Sequence, residues 1–258
     1  MEYNTLVLEC HENIGFITMN RPGQLNTFNT ALAGEFNRAL QEMEDDPEVR
    51  VIVIKGAGKA FCAGIDVNEL KGKKSLDYYF WVGAMEEMAI RMSKMGTPVI
   101  ASVHDLAIAN GIAIVASADL AVAAEGARFG ATAVNIGLFC MGPAVPLARS
   151  IGRKKALELL LTGDMIDADE AYRIGLVNKV VPKDALEAET LALAQKLAQK
   201  SPLAVSLGKK SFYKMQDLEY EKAFELVNNH FAILCSTEDA HEGVDAFLNK
   251  RTPEWKRR

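Results

Sequence analysis

The chain has 258 residues, 29 Lys and Arg against 34 Asp and Glu, and a formal net charge of −5. Apolar residues make up 49%, which excludes a disordered chain and is enough for a full-sized core. The mildly acidic balance offers phosphates no general attraction, so no nucleic-acid partner is expected. The four cysteines, Cys10, Cys62, Cys140 and Cys235, are far apart. Without C-x-x-C spacing they indicate neither zinc nor a redox motif, and free thiols fit a reducing, cytoplasmic setting. Met1-Glu2-Tyr3-Asn4 opens no signal-peptide pattern. The most apolar stretch, Val99 to Ala124, carries His104, Asp105, Asn110 and Asp119, too many polar groups for a membrane span.

In chain order, Leu6–Glu9 and Phe16–Met19 flank Glu12-Asn13 and predict a hairpin, broken by Asn20-Arg21-Pro22-Gly23. Asn29 is placed to cap a helix whose apolar positions are Leu32, Phe36, Leu40 and Met43. Val51–Ile54 is a continuous apolar run, as in a strand buried on both faces. Val99–Val103 and Leu120–Ala123 predict two more strands, giving an α/β core with crossover connections. Beyond Arg153 the chain is mostly helical: Lys155–Leu161 stops at Gly163, Glu170–Ile174 at Gly175, and Ala185–Gln199 is amphipathic. A short strand is expected at Val177–Val181, and further helices over Pro202–Tyr213, Glu219–Leu234 and Asp239–Leu248. The expected division is a core over residues 1–200 and a helical subdomain over 201–258 that serves oligomerisation.

Two loops are chemically suggestive. Lys55-Gly56-Ala57-Gly58 follows a strand, but the third glycine of a dinucleotide fingerprint would fall on Phe61, and no Gly-Lys-Ser/Thr is present. Glycine-rich backbone still allows close approach of a ligand, and bare N–H groups stabilise oxyanions. In the second loop a strand runs to His104-Asp105, and Asn110 opens a helix of small apolar residues. Its first N–H groups lack intrahelical partners and carry the positive end of the helix dipole. No G-x-S-x-G elbow, H-E-x-x-H or His cluster is present, so neither a serine hydrolase nor a metal is expected.

These loops resemble the enoyl-CoA hydratase/isomerase, or crotonase, family. Ala60-Phe61-Cys62-Ala63-Gly64-Ile65-Asp66 is similar to its A-F-C/A-A-G-x-D loop. Pro98-Val99-Ile100-Ala101 and Ser117-Ala118-Asp119-Leu120 are similar to the segments bracketing its G-G-G helix start. Asn20-Arg21-Pro22, Leu161-Thr162-Gly163-Asp164, Gly175 to Pro182 and Glu242 to Arg251 follow in the same order. The resemblance implies a spiral of stacked ββα turns, homotrimers or dimers of trimers, acyl-CoA substrates and no cofactor beyond the coenzyme A of the substrate. Carried over by position, the backbone oxyanion donors are Ile65 and Asn110. The alternative for Asn110 is a plain helix cap. Ala63, Gly64 and Asp66 border the ligand loop, and Arg21, Lys59 and Lys250 are candidates for coenzyme A contacts, with surface solvation as their alternative.

The departures are as informative. The two glutamates that hydratases use for acid–base work fall here on Ala113 and Ala133, and the G-G-G reads Ala109-Asn110-Gly111. Neither alanine transfers a proton. The resemblance therefore implies two readings, an enzyme acting through enolate stabilisation or an inactive acyl-CoA-binding protein. Cys140, Asp66 and Asn135 are the replacement candidates. Two have an ordinary alternative, a buried thiol for Cys140 and a helix cap within Asp66-Val67-Asn68-Glu69 for Asp66, while Asn135 is able to orient a water but not to act as a base. Glu86 and Glu87 lie on a helix with Trp81, Met85 and Met88, which read first as core.

Overall fold

The computed structural model describes residues 3–256. β1 (Leu6–His11) and β2 (Ile14–Met19) form the expected hairpin. Glu12 and Asn13 both have positive φ, 51° and 65°, as a two-residue turn matching strand twist requires. α1 (Thr30–Asp45) starts where Asn29 accepts a hydrogen bond from the Leu32 N–H at 2.9 Å. It buries Leu32, Phe36, Leu40 and Met43, the positions its periodicity selects.

Three turns of a spiral follow. Each lays one strand in a first sheet, one in a second, and then a helix. The first turn is β3 (Val51–Gly56), β4 (Ala60–Cys62) and α2 (Ser75–Lys94). The second is β5 (Val99–Val103), β6 (Leu106–Ile108) and α3 (Asn110–Ser117). The third is β7 (Leu120–Ala124), β8 (Arg128–Gly130) and α4 (Met141–Ser150). β3, β5 and β7 are parallel neighbours in the first sheet, and β4, β6 and β8 are parallel neighbours in the second. This is the spiral of stacked ββα turns that the resemblance implies.

The chain continues through α5 (Arg153–Thr162), β9 (Met165–Asp167), α6 (Ala168–Arg173) and β10 (Lys179–Val181). β9 pairs antiparallel with β8, and β10 parallel with β7. Gly163 and Gly175, with φ of 68° and 83°, end α5 and α6 as expected of glycines in the left-handed region. α7 (Leu186–Ala198) covers the far face of the first sheet. Val51 and Val53 pack toward it with Ile100, Val122 and Leu186, while Ile52 and Ile54 point into the larger core. Burial on both faces explains the unbroken apolar run in β3.

α8 (Pro202–Met215), α9 (Tyr220–Cys235) and α10 (Glu238–Leu248) close the chain. α8 is held to the core through Asp119, which accepts from the Tyr213 hydroxyl (3.0 Å) and the Val99 N–H (2.7 Å) and pairs with Lys209 (2.7 Å). α9 buries none of its residues. Among the described residues no helix is long and apolar enough to cross a membrane.

Candidate active site

The two suggestive loops leave adjacent parallel strands. β4 leads into Ala63-Gly64-Ile65, and β6 leads through Ala109 into α3. Neighbouring strands lie about 4.8 Å apart, so the two connections are close at their carboxyl ends. Gly64 has φ of 95°, and a Cβ there would stand 2.8 Å from the Ala109 Cβ. The loops are therefore in contact, and only glycine allows that approach.

The backbone N–H of Ile65 is left free by its surroundings. Phe28 bridges this segment by donating to the Gly64 carbonyl and accepting from the Asp66 N–H, both at 2.7 Å. In such a parallel bridge the N–H of the middle residue points away from its partner. Asn110 is the first residue of α3, so its N–H has no partner one turn back. Among the described residues neither amide has an internal acceptor.

The alternative of Asn110 as a cap is corrected here: Ala109 is the N-cap, and its own N–H donates to the Gly130 carbonyl at 2.9 Å. Ala109 adopts φ 48° and ψ −110°, a strained conformation for a residue with a side chain. Gly111 packs on β4 so tightly that a Cβ would overlap the Cys62 carbonyl oxygen.

Asp66 caps the short 3-10 helix Val67–Leu70, accepting from the Asn68 N–H at 3.2 Å. It also pairs with Arg21 at 3.1 Å, both side chains mostly buried. Burial pushes the Asp66 carboxyl up, but hydrogen bonds from Arg21 and Asn68 outweigh it and hold the carboxyl below its ordinary value. Arg21 donates as well to the Thr27 carbonyl, so its guanidinium braces the loop. Lys59 is exposed in the turn between β3 and β4. Lys250 is exposed just past α10, and among the described residues no ion pair joins it to these loops.

Cys140 is 4% exposed, and burial pushes its thiol above the ordinary value, which a backbone hydrogen bond at Ala133 only partly offsets. It is a packed thiol in surroundings that disfavour the thiolate. Asn135 donates to the Gly163 carbonyl at 3.2 Å, joining the 3-10 helix Thr132–Ile136 to the end of α5. Ala113 is buried on α3, and Ala133 is half-buried in that 3-10 helix. His104 contacts the Gly58 carbonyl at 3.1 Å, and burial lowers its pKa. Among the described residues no three His, Cys, Asp or Glu side chains gather as a metal set.

Two supporting residues escape a reading of the sequence. Asn26 is fully buried with φ of 56°. Its Oδ1 accepts from the Arg21 N–H, and its Nδ2 donates to the carbonyls of Ala57 and Ala60, each at 2.8 Å. It thereby joins the loop after β2 to the loop before β4. Glu69, spaced to form a capping box with Asp66, instead reaches across to the Thr30 N–H (2.9 Å), the Thr30 hydroxyl (2.8 Å) and Trp81 Nε1 (2.8 Å). For Asn26 the only sequence signal was an Asn at a turn, where the left-handed region is tolerated, and for Glu69 it was the capping spacing, which pointed to the wrong partner.

Residues 9–258 match the enoyl-CoA hydratase/isomerase family pattern. The chain belongs to that family. It is 37% identical to the mitochondrial enoyl-CoA hydratase domain-containing protein 3 of Xenopus laevis, over 96% of this chain and 85% of that protein. A probable enoyl-CoA hydratase of Rhizobium meliloti is 37% identical over the full length of both. Among solved structures, human enoyl coenzyme A hydratase domain-containing protein 3 superposes with TM-score 0.94 at 36% identity, covering 98% of this chain and 100% of that one. An enoyl-CoA hydratase from Mycobacterium smegmatis gives TM-score 0.94 at 38% identity, covering 98% and 99%. In this chain the Asp66 and Asn135 side chains are engaged in hydrogen bonds within the fold, and Cys140 is packed in the core.

Proposed function

We propose that this chain is an enzyme of the hydratase/isomerase class that binds a coenzyme A thioester and stabilises its enolate. The observation that carries this is the pair of amides, Ile65 N–H and Asn110 N–H, on touching loops with no internal acceptor among the described residues. A thioester carbonyl oxygen placed between them accepts two hydrogen bonds that strengthen as negative charge develops. Each such donor lowers a barrier by about 3–4 kcal/mol. The positive end of α3 adds to the same field. Both donors are main-chain groups, so Ile and Asn supply them as well as any residue would.

Ala63 and Gly64 form the loop wall, Asp66 with Arg21 braces it, and Lys59 and Lys250 are the exposed cations offered to the coenzyme A phosphates. No resident cofactor or metal takes part in this scheme; coenzyme A arrives with the substrate. Its free cysteines favour a reducing compartment, for which we propose the cytoplasm.

The test is vibrational. Butyryl-CoA labelled with ¹³C at the carbonyl is expected to bind saturably, with its carbonyl stretch shifted to lower frequency. Binding without a shift, or no binding, overturns the reading. A second reading, binding without catalysis, is favoured by Ala113 and Ala133. Loss of the enoyl absorbance of crotonyl-CoA on adding protein would remove it.

A further inference from the structure

The acid–base group is missing from the positions where the family resemblance would put it, but one carboxylate elsewhere is unengaged. Glu86 lies on α2 and is partly buried. Among the described residues it has no hydrogen bond or ion pair. Its neighbour Glu87 differs, pairing with Arg91 at 3.3 Å. Other buried or partly buried carboxylates, Glu35, Glu44, Asp66 and Glu69, are held below their ordinary pKa by hydrogen bonds that outweigh burial. Glu86 alone among the described carboxylates is pushed upward, by burial with nothing to offset it. A structural carboxylate is normally bonded; an unpaired one in a desolvated setting has the character of a proton carrier.

Its position follows from the packing of three helices. A groove of about 460 Å³ is lined by Ala89, Ile90 and Ser93 of α2, together with residues from the later parts of α3 and α4. That part of α3 is Val115 to Ser117, and of α4 Val145, Pro146 and Arg149, so the three helices advance side by side in one direction. The groove marks their far end, away from the amides. One turn back toward the N-termini brings α2 to Glu86, α3 to its opening turn and α4 to Gly142. The Glu86 contact with Gly142 bears this register out: a Cβ at Gly142 would stand 2.6 Å from the Glu86 Cδ. Gly142 thus makes the room that the carboxyl occupies, level with the first turn of α3 where Asn110 begins. Helix axes packed together lie about 8–10 Å apart, within reach of a Glu side chain and a bound acyl chain.

We propose that Glu86 is the catalytic residue that moves protons at the α-carbon of the bound acyl thioester. This rests on the reading of Ile65 and Asn110 as carbonyl donors. The carboxylate takes the α-proton. The C–H electron pair forms the enolate C=C bond, and the carbonyl π pair moves onto the oxygen held by the two amides. The carboxylic acid then returns a proton to carbon. No co-reactant is consumed.

The experiment follows α-hydrogen exchange of butyryl-CoA in D₂O by mass spectrometry, with the full-length protein, alongside calorimetric binding of the same thioester. Wild type is expected to incorporate deuterium. Glu86→Gln should slow incorporation at least ~100-fold, as loss of a general base does, with the dissociation constant changed less than about twofold; Glu86→Asp should recover part of the rate. Gly142→Ala, which displaces the carboxyl without altering it, should also slow exchange while preserving binding. Tight binding with exchange unaffected by both substitutions, or with no exchange in wild type, overturns Glu86 alone. Absence of binding in wild type overturns the amide reading, and Glu86 with it.

Discussion

Asn26 shows how much one side chain contributes at this site. Three hydrogen bonds converge on it in a fully buried position, and it adopts a backbone conformation that Asn tolerates better than Ala. Asn26→Ala removes all three and strands a buried carbonyl at Ala60 and a part-buried one at Ala57. We expect a loss of about 3–5 kcal/mol in urea unfolding, since each orphaned buried group costs about 1–3 kcal/mol. A loss below 1 kcal/mol would mean that water replaces the amide. Nothing in the hydrophobic pattern marks Asn26, because its role exists only once two distant loops meet. Asn29, by contrast, was legible: cap and capped residue are three apart, and no tertiary information is needed.

At the scale of elements, the brace between the β4 loop and the loop after β2 is electrostatic, and it carries a pH signature. The Asp66 carboxyl is held below 3.8 in the folded protein. A depressed carboxylate stabilises the fold above its unfolded value, and that contribution is lost as pH falls through the folded value. Wild type should therefore exceed Asp66→Asn by about 1 kcal/mol near neutral pH, a modest figure for an ion pair of this exposure. The two should converge as pH is taken below 3.8. Thermal melts across pH 3 to 7 check this, and a gap that widens in acid would contradict it.

The elements also divide by legibility. The long segments, β3, β5, β7 and α7, announce themselves by apolar runs or helical periodicity. The second sheet does not. Ala60–Cys62, Leu106–Ile108 and Arg128–Gly130 are three residues each, too short for alternation to register. They become strands because successive turns stack in parallel, a tertiary cause. The candidate site stands at the ends of two of these strands, so its motifs were readable while its geometry was not.

On the whole-molecule scale, apolar surface remains uncovered. Phe231 is 67% exposed, Phe247 82% and Leu248 72%, on two of the closing helices. Patches of this kind on a single chain mark association surfaces. We propose that α8–α10 form the self-association region of a homotrimer or a dimer of trimers. Phe231→Asp combined with Phe247→Asp is expected to convert the assembly to monomers in sedimentation analysis; a monomeric wild type would dispose of the idea.

The spacing of the two amides is a property of neighbouring parallel strands and owes nothing to the side chains at positions 65 and 110. In the proposed function such a ruler measures one oxygen atom and is indifferent to whatever hangs from the carbon beyond it. Under the proposed reading, descendants of this chain are thus free to trade one acyl tail for another, while the grip on the carbonyl passes unchanged from one chemistry to the next.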